Sequence, residues 1–258
     1  MIEQFFRPEQ LGQALELKAS FGNDAVYMGG GSKLNAAPTR TDKKVAISLD
    51  KVGLNQIEQQ HGQLHIGATV TLQTLKEDPR TPAALCDALG FVYSRHLRNQ
   101  ATLGGELACQ QQDSPLLPVL LVLEAVVVLE NNLLQPIDAY LAGQRNALVL
   151  GVVLPEPELR CATRRISRNA DGLAVMTAAV ALDSIGEMRV AVAGLTPQPM
   201  RLRDLERRDL HDAALEAAVS ELIAPREDLA GSISYKRYIT GVVVADLLVD
   251  CQQQEVQA

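Results

Sequence analysis

This chain has no tryptophan, and phenylalanine and tyrosine together make up only 3 % of it. A core must therefore be built from aliphatic side chains, within a hydrophobic content of 47 %. Cysteine is scarce as well. Cys86, Cys109, Cys161 and Cys251 stand far apart, none in a CxxC pair and none with a His at ligand spacing. That argues against a zinc or iron–sulfur site held wholly by this chain. The four histidines, His61, His65, His96 and His211, are scattered, and no GxSxG, HExxH or Cys/Ser–His arrangement occurs. Positive charge is short too: 24 Lys and Arg against 31 Asp and Glu give a net charge of −7. Nucleic acid and anionic membranes are bound through excess positive charge, so neither is expected as a partner. The longest apolar run, 116–129, contains Pro118 and Glu124 and is too short to cross a bilayer. The opening MIEQFFRPEQ lacks a basic region followed by an apolar run, so no signal peptide is expected and a soluble, cytoplasmic protein is predicted.

What the sequence does have is length and glycine. Its 258 residues suffice for one large domain or two modest ones. Residues 3–6 read as a strand, the segment opened by Pro8 with Leu11, Ala14, Leu15 and Leu17 on its apolar face as a helix stopped by Gly22-Asn23, and 25–28 as a buried strand. That strand runs into Gly29-Gly30-Gly31-Ser32-Lys33-Leu34, a loop able to turn several N–H donors toward one phosphate. It is neither a Rossmann fingerprint, since Leu34 stands where the third Gly belongs, nor a P-loop, since GK[ST] is absent. On its own, a flexible loop is the commoner explanation of such a run. Segments 55–60 and 63–68 read as a hairpin about His61-Gly62, and Thr71 as the cap of a following helix. Strands follow at 126–130 and 147–154. The span from 161 onward reads as a separate unit of strands, then helices at 212–224 and 235–248.

The stretch 95–125 gathers the rest: a basic lead-in, a turn at Gly104-Gly105, a Gln110–Gln112 run ending on Asp113, and a long apolar segment. On residue types alone it serves equally as a ligand loop or as a turn before a buried helix.

Its RNQATLGGELA, 98–108, is similar to the RNxATxGGN signature of the flavin subunits of the xanthine dehydrogenase and carbon monoxide dehydrogenase family, the molybdenum hydroxylases. IGATVTLQTL, 66–75, resembles that family's IGAxxTLxxL, MGGGSKLN, 28–35, its AGGTDLL loop, and Tyr235-Lys236-Arg237 the start of its late YRR helix. The resemblance implies an α+β fold of the PCMH type (vanillyl-alcohol-oxidase-like). An FAD-binding domain would span 1–158 as two α+β subdomains, 1–54 and 55–158, and a carbon monoxide dehydrogenase flavoprotein-like α/β domain 159–258. It implies FAD as cofactor and no catalytic residue of the chain's own. Amides of Gly29, Gly30, Gly31 and Ser32 would cradle the pyrophosphate, with Lys33 beside it and Thr102, Gly104 and Gly105 meeting it from the other side. Asp113 would hold sugar hydroxyls, Leu154 would lie against the flavin ring, and Arg164 would sit as a cation at its pyrimidine edge. Replacing Gly30 by Asp should then expel the flavin and spare the fold.

The chain departs from the family where Glu106 replaces an Asn and where the expected Asp falls on Pro115, two residues from Asp113. The reading is an electron-transfer subunit working between an iron–sulfur subunit, with a molybdopterin-binding large subunit behind it, and NAD(H) or another acceptor. The alternatives are a flavin-free structural or assembly subunit of the same fold and, with no substrate-side acid or base in view, a stand-alone flavin oxidase.

Overall fold

The computed structural model describes residues 2–34, 41–143, 147–169 and 172–254. The chain opens with a parallel sheet of β1 (Gln4–Phe6), β2 (Ala25–Met28) and β3 (Val45–Ser48), with β3 in the middle. All four residues of β3 are buried, as a central parallel strand requires. Helix α1 (Leu11–Phe21) covers the sheet through Ala14, Leu11, Leu15 and Leu17, and stops where Gly22 takes a φ of 53°.

The second layer is an antiparallel sheet of β4 (Ile57–Gln60), β5 (Gln63–Gly67), β6 (Val126–Leu129), β7 (Leu134–Pro136) and β8 (Val149–Leu154), in the order β4-β5-β8-β6-β7. His61 and Gly62 turn the β4–β5 hairpin with φ of 51° and 80°, the geometry of a tight two-residue turn. Six helices accompany this layer: α2 (Leu72–Glu77), α3 (Ala83–Gly90), α4 (Arg95–Gln100), α5 (Leu103–Cys109), α6 (Leu117–Val122) and α7 (Ile137–Ala142). Thr71 caps α2 by accepting from Thr74 N at 3.1 Å. Gly104-Gly105 is not a turn: both residues lie in the first turn of α5, which Thr102 caps.

The last layer is the antiparallel sheet β9 (Arg160–Ser167), β10 (Ala174–Leu182), β11 (Met188–Ala193) and β12 (Met200–Arg201), followed by α8 (Arg203–Glu206), α9 (Asp212–Leu222) and α10 (Ile233–Gln253). Strand β10 is buried on both faces, which is why its sequence does not alternate. Ala179 and Ala181 join the core of the second layer, while Ala178 and Val180 face the core shared with α9 and α10. Apolar packing therefore crosses the connection between β8 and β9, the place of the expected domain boundary. Beneath α10 the loop before it is pinned by a fully buried cation. Lys236 Nζ lies 2.7 Å from Asp228 and donates to Arg226 O at 2.9 Å. No described helix is long and apolar enough to cross a membrane.

Candidate functional site

Two glycine-bearing segments, distant in sequence, meet at the seam between the first two layers. The segment 100–104 is stitched to 68–72 by Leu72 N to Ala101 O (2.9 Å), Leu103 N to Val70 O (3.0 Å) and Gly104 N to Ala68 O (2.9 Å). This fixes α5 with its first turn beneath the loop that leaves β2. The two backbones approach so closely that side chains have no room. A Cβ on Gly29 would lie 2.5 Å from Thr102 Oγ1, and one on Gly30 only 1.4 Å from Gln100 O. Gly104 is confined in the same way, 2.7 Å from Ala68 Cβ, and Gly31 has a φ of 72°. Gly30 is therefore demanded by packing between protein segments. A substitution there strains the fold itself, contrary to the expectation that Gly30→Asp would leave it intact.

The amide donors divide cleanly between the two segments. In α5 they are used: Gly104 N donates to Ala68 O, and Gly105 N to the capping Thr102 Oγ1 at 3.2 Å. In the loop they are not. The N–H groups of Gly29, Gly30, Gly31 and Ser32 meet no acceptor among the described residues. Four consecutive unengaged amides are a run of partial positive charge of the kind that can serve an anion with several oxygens.

Lys33 follows this run directly and is not solvated. Its Nζ lies 2.6 Å from Glu106 Oε1, with the two side chains 17 % and 6 % exposed. Glu106 is the one charged residue of α5, and a charge buried among LGGELAC needs a partner. That demand was the available sign of the pair, although nothing in the sequence named Lys33 as its answer.

The glutamine run leaves α5 through Gln110, whose φ of 43° ends the helix. Gln110 is 4 % exposed, and neither of its side-chain amide atoms has a hydrogen-bond partner among the described residues. Ser114 Oγ and Thr69 Oγ1 are buried in the same unpaired state. Between Gln110 and Ser114, Gln112 O accepts from Gly194 N at 2.7 Å, tying the loop to the last sheet. Asp113 is exposed, with no hydrogen bond among the described residues. Burial among polar atoms, invisible in a run of identical side chains, thus separates Gln110 from its neighbours.

Two further expected residues are engaged by their own neighbours. Leu154 is fully buried in the second-layer core, beside its strand partner Leu64, and offers no face to a ring in this arrangement. Arg164 pairs across the sheet with Ala178, which places it on the α10 side, where Asp246 and Asp250 each hold it at 2.8 Å. Two carboxylates one helical turn apart thus hold the Arg164 guanidinium. The thiols are equally quiet. Burial raises Cys161 well above the ordinary range, and pushes Cys251 up to about 12.

A family described as the FAD binding domain in molybdopterin dehydrogenase matches residues 1–157. The chain is 53 % identical over 253 residues to the uncharacterized protein YgfM of Escherichia coli strain K12, covering 98 % of each. It is 25 % identical over 275 residues to the carbon monoxide dehydrogenase medium chain of Hydrogenophaga pseudoflava, covering 93 % of this chain and 94 % of that one. Among solved structures, the Hydrogenophaga pseudoflava carbon monoxide dehydrogenase superposes with a TM-score of 0.85 at 22 % identity, over 98 % of both chains. Quinoline 2-oxidoreductase from Pseudomonas putida 86 gives the same TM-score of 0.85 at 22 % identity, over 98 % of this chain and 97 % of that one. Both share the fold.

Proposed function

The chain belongs to the family of FAD-binding domains of molybdopterin dehydrogenases, with FAD as its cofactor, and from that premise we propose that it is the electron-relaying flavin subunit of a molybdenum hydroxylase-type oxidoreductase. Electrons would pass between a partner iron–sulfur subunit and NAD or another acceptor, with molybdopterin on a large third subunit. The likeness to a subunit called the medium chain of carbon monoxide dehydrogenase supports this division of labour.

The observation that carries the reading is the run of four unengaged amides, Gly29 to Ser32, with Lys33 at its end. These groups suit the pyrophosphate of FAD. The amides of Gly104 and Gly105 are already engaged, and with Thr102 these residues build the wall that holds the glycine loop in place. Asp113, exposed and without an internal partner, is suited to accept hydrogen bonds from ribose or ribityl hydroxyls. FAD supplies the redox chemistry when bound, and the chain's residues bind and orient it.

The test is purification of the native protein with its attached partners, followed by an absorbance spectrum. Flavin bands near ~370 and ~450 nm in stoichiometric yield, with iron and molybdenum in the same particle, are the expected result. Flavin oxidation of a substrate by this polypeptide alone would overturn the subunit reading. One observation favours a second reading, a flavin-free structural subunit: the carboxylate of Glu106 lies beside the glycine loop, where an anion must bind. A native particle containing this chain and metals but no flavin would establish it.

A further inference from the structure

The Lys33–Glu106 pair does more than join two loops. We infer that Glu106 sets how tightly this site holds a dinucleotide, because its carboxylate competes with the ligand's diphosphate for Lys33; the inference rests on the flavin reading above. Lys33 directly follows the four unengaged amides, and its ammonium meets Glu106 in the first turn of α5, beside the Gln100–Thr102 backbone on which Gly29 and Gly30 pack, so an anion on those amides would share its neighbourhood. Glu106 already holds that ammonium at 2.6 Å, and with only 6 % of its side chain exposed it is poorly screened by water. One cation then serves two anions. Each loosens the other's hold, and the backbone that carries the carboxylate is fixed. Glu106 sits in the first turn of α5, which is locked by Thr102, by the Ala68–Gly104 hydrogen bond and by the packing of Gly104 on Ala68.

Glu106→Gln separates charge from shape. The amide oxygen still accepts from Lys33 Nζ, and the volume is unchanged, but the competing negative charge is gone. The full-length chain, freed of flavin and checked for wild-type circular dichroism, is titrated with FAD, with ADP and with inorganic pyrophosphate, and its melting is followed with and without each. The variant should bind all three roughly tenfold more tightly, as expected when one partly buried like charge is removed near the ligand. Its unliganded melting temperature should fall, because Lys33 has lost its counter-ion, while the ligand-induced rise in melting temperature becomes larger. A purely structural Glu106 would lower melting with and without ligand alike and leave affinity unchanged or weakened. Lys33→Met combined with Glu106→Gln is the control: it removes both charges, and its affinity should fall below that of the single variant.

Equal or weaker FAD and pyrophosphate binding by Glu106→Gln, with the wild type binding FAD normally, overturns this inference and leaves the flavin reading standing. Failure of wild type and variant alike to bind any of the three probes overturns both.

Discussion

Adding one methyl group at Gly30 should do more damage than the removal of many larger side chains. A Cβ there would lie 1.4 Å from Gln100 O and 2.5 Å from Gln100 C, both backbone atoms that no rotamer change can move. Restoring ordinary contact requires the two backbones to part by about 2 Å, on the scale of the packing limits that govern cores. The Gln100 segment cannot yield freely. Ala101 N donates to Leu97 O at 2.7 Å, Ala101 O accepts from Leu72 N at 2.9 Å, and Thr102 bridges to Thr71. Overpacking costs about 1–3 kcal/mol, and losing one or two of these hydrogen bonds adds about 1 kcal/mol each. Gly30→Ala should thus destabilise by roughly 2–5 kcal/mol, on the order of 10 °C in melting temperature for a chain of this size. The matched control is Gly12→Ala, in α1, where a Cβ meets nothing within 4 Å. There the change should stabilise by about 0.5–1 kcal/mol, since alanine loses less entropy in a helix. Urea titration of the full-length protein, with and without FAD, measures both. A Gly30→Ala protein within about 1 kcal/mol of wild type would show that the loop is not wedged against Gln100 and would refute the packing argument.

Three further outcomes follow from the same geometry. Asp113→Ala should weaken FAD binding by about 1.5–3 kcal/mol, the worth of charge-assisted hydrogen bonds, without lowering stability, because the side chain is exposed; fluorescence titration decides, and unchanged affinity removes Asp113 from the site. Arg164→Met should leave the flavin spectrum and midpoint potential unaltered, since Asp246 and Asp250 hold the guanidinium on the α10 face; a shifted potential would contradict that placement. Stability should fall as pH rises above about 9. Burial raises Cys161, and raises Cys251 from 9.0 to about 12; burial, then the charge of Glu130, raises Tyr27 from 10.0 to about 12. The unfolded chain loses these protons first, so the folded state is at full advantage below the unfolded values and loses it as pH climbs toward 12. A melting temperature that stays flat between about pH 8 and pH 10.5 would sink this account.

The fold was legible wherever a local rule and the tertiary context agreed. His61-Gly62 turned a hairpin, Thr71 capped a helix and Gly22 ended one, each for reasons written within a few residues. Gly104-Gly105 misled because glycine disfavours helices, so two together read as a turn. Tertiary contact overrode that preference. Thr102 satisfies Gly105 N, and only a residue without Cβ lets α5 approach Ala68 so closely. The side taken by Arg164 was hidden for a different reason. It depends on which face of β9 meets α10, and the β9–β10 register shifts between Ala174 and Met176. A one-residue slip exchanges the faces of a strand.

The glycine loop was legible as a place of close backbone approach, but its electrostatics were not, because they reside in a pair rather than in either residue. Read singly, Lys33 looked like a helpful charge beside a phosphate, and Glu106 like a harmful departure at the second loop. Once the two segments are pressed together by Gly29 and Gly30, neither charge can stand alone. Stranding one in the seam would cost several kcal/mol, more than most single contacts contribute. Lysine at 33 therefore makes sense only with glutamate at 106, and the pair restores local neutrality without a ligand. The same neutrality means that an arriving diphosphate meets four amide dipoles and a cation already engaged. Under the proposed function, the amides of Gly29 to Ser32 would then carry more of the binding than an unpaired lysine would require.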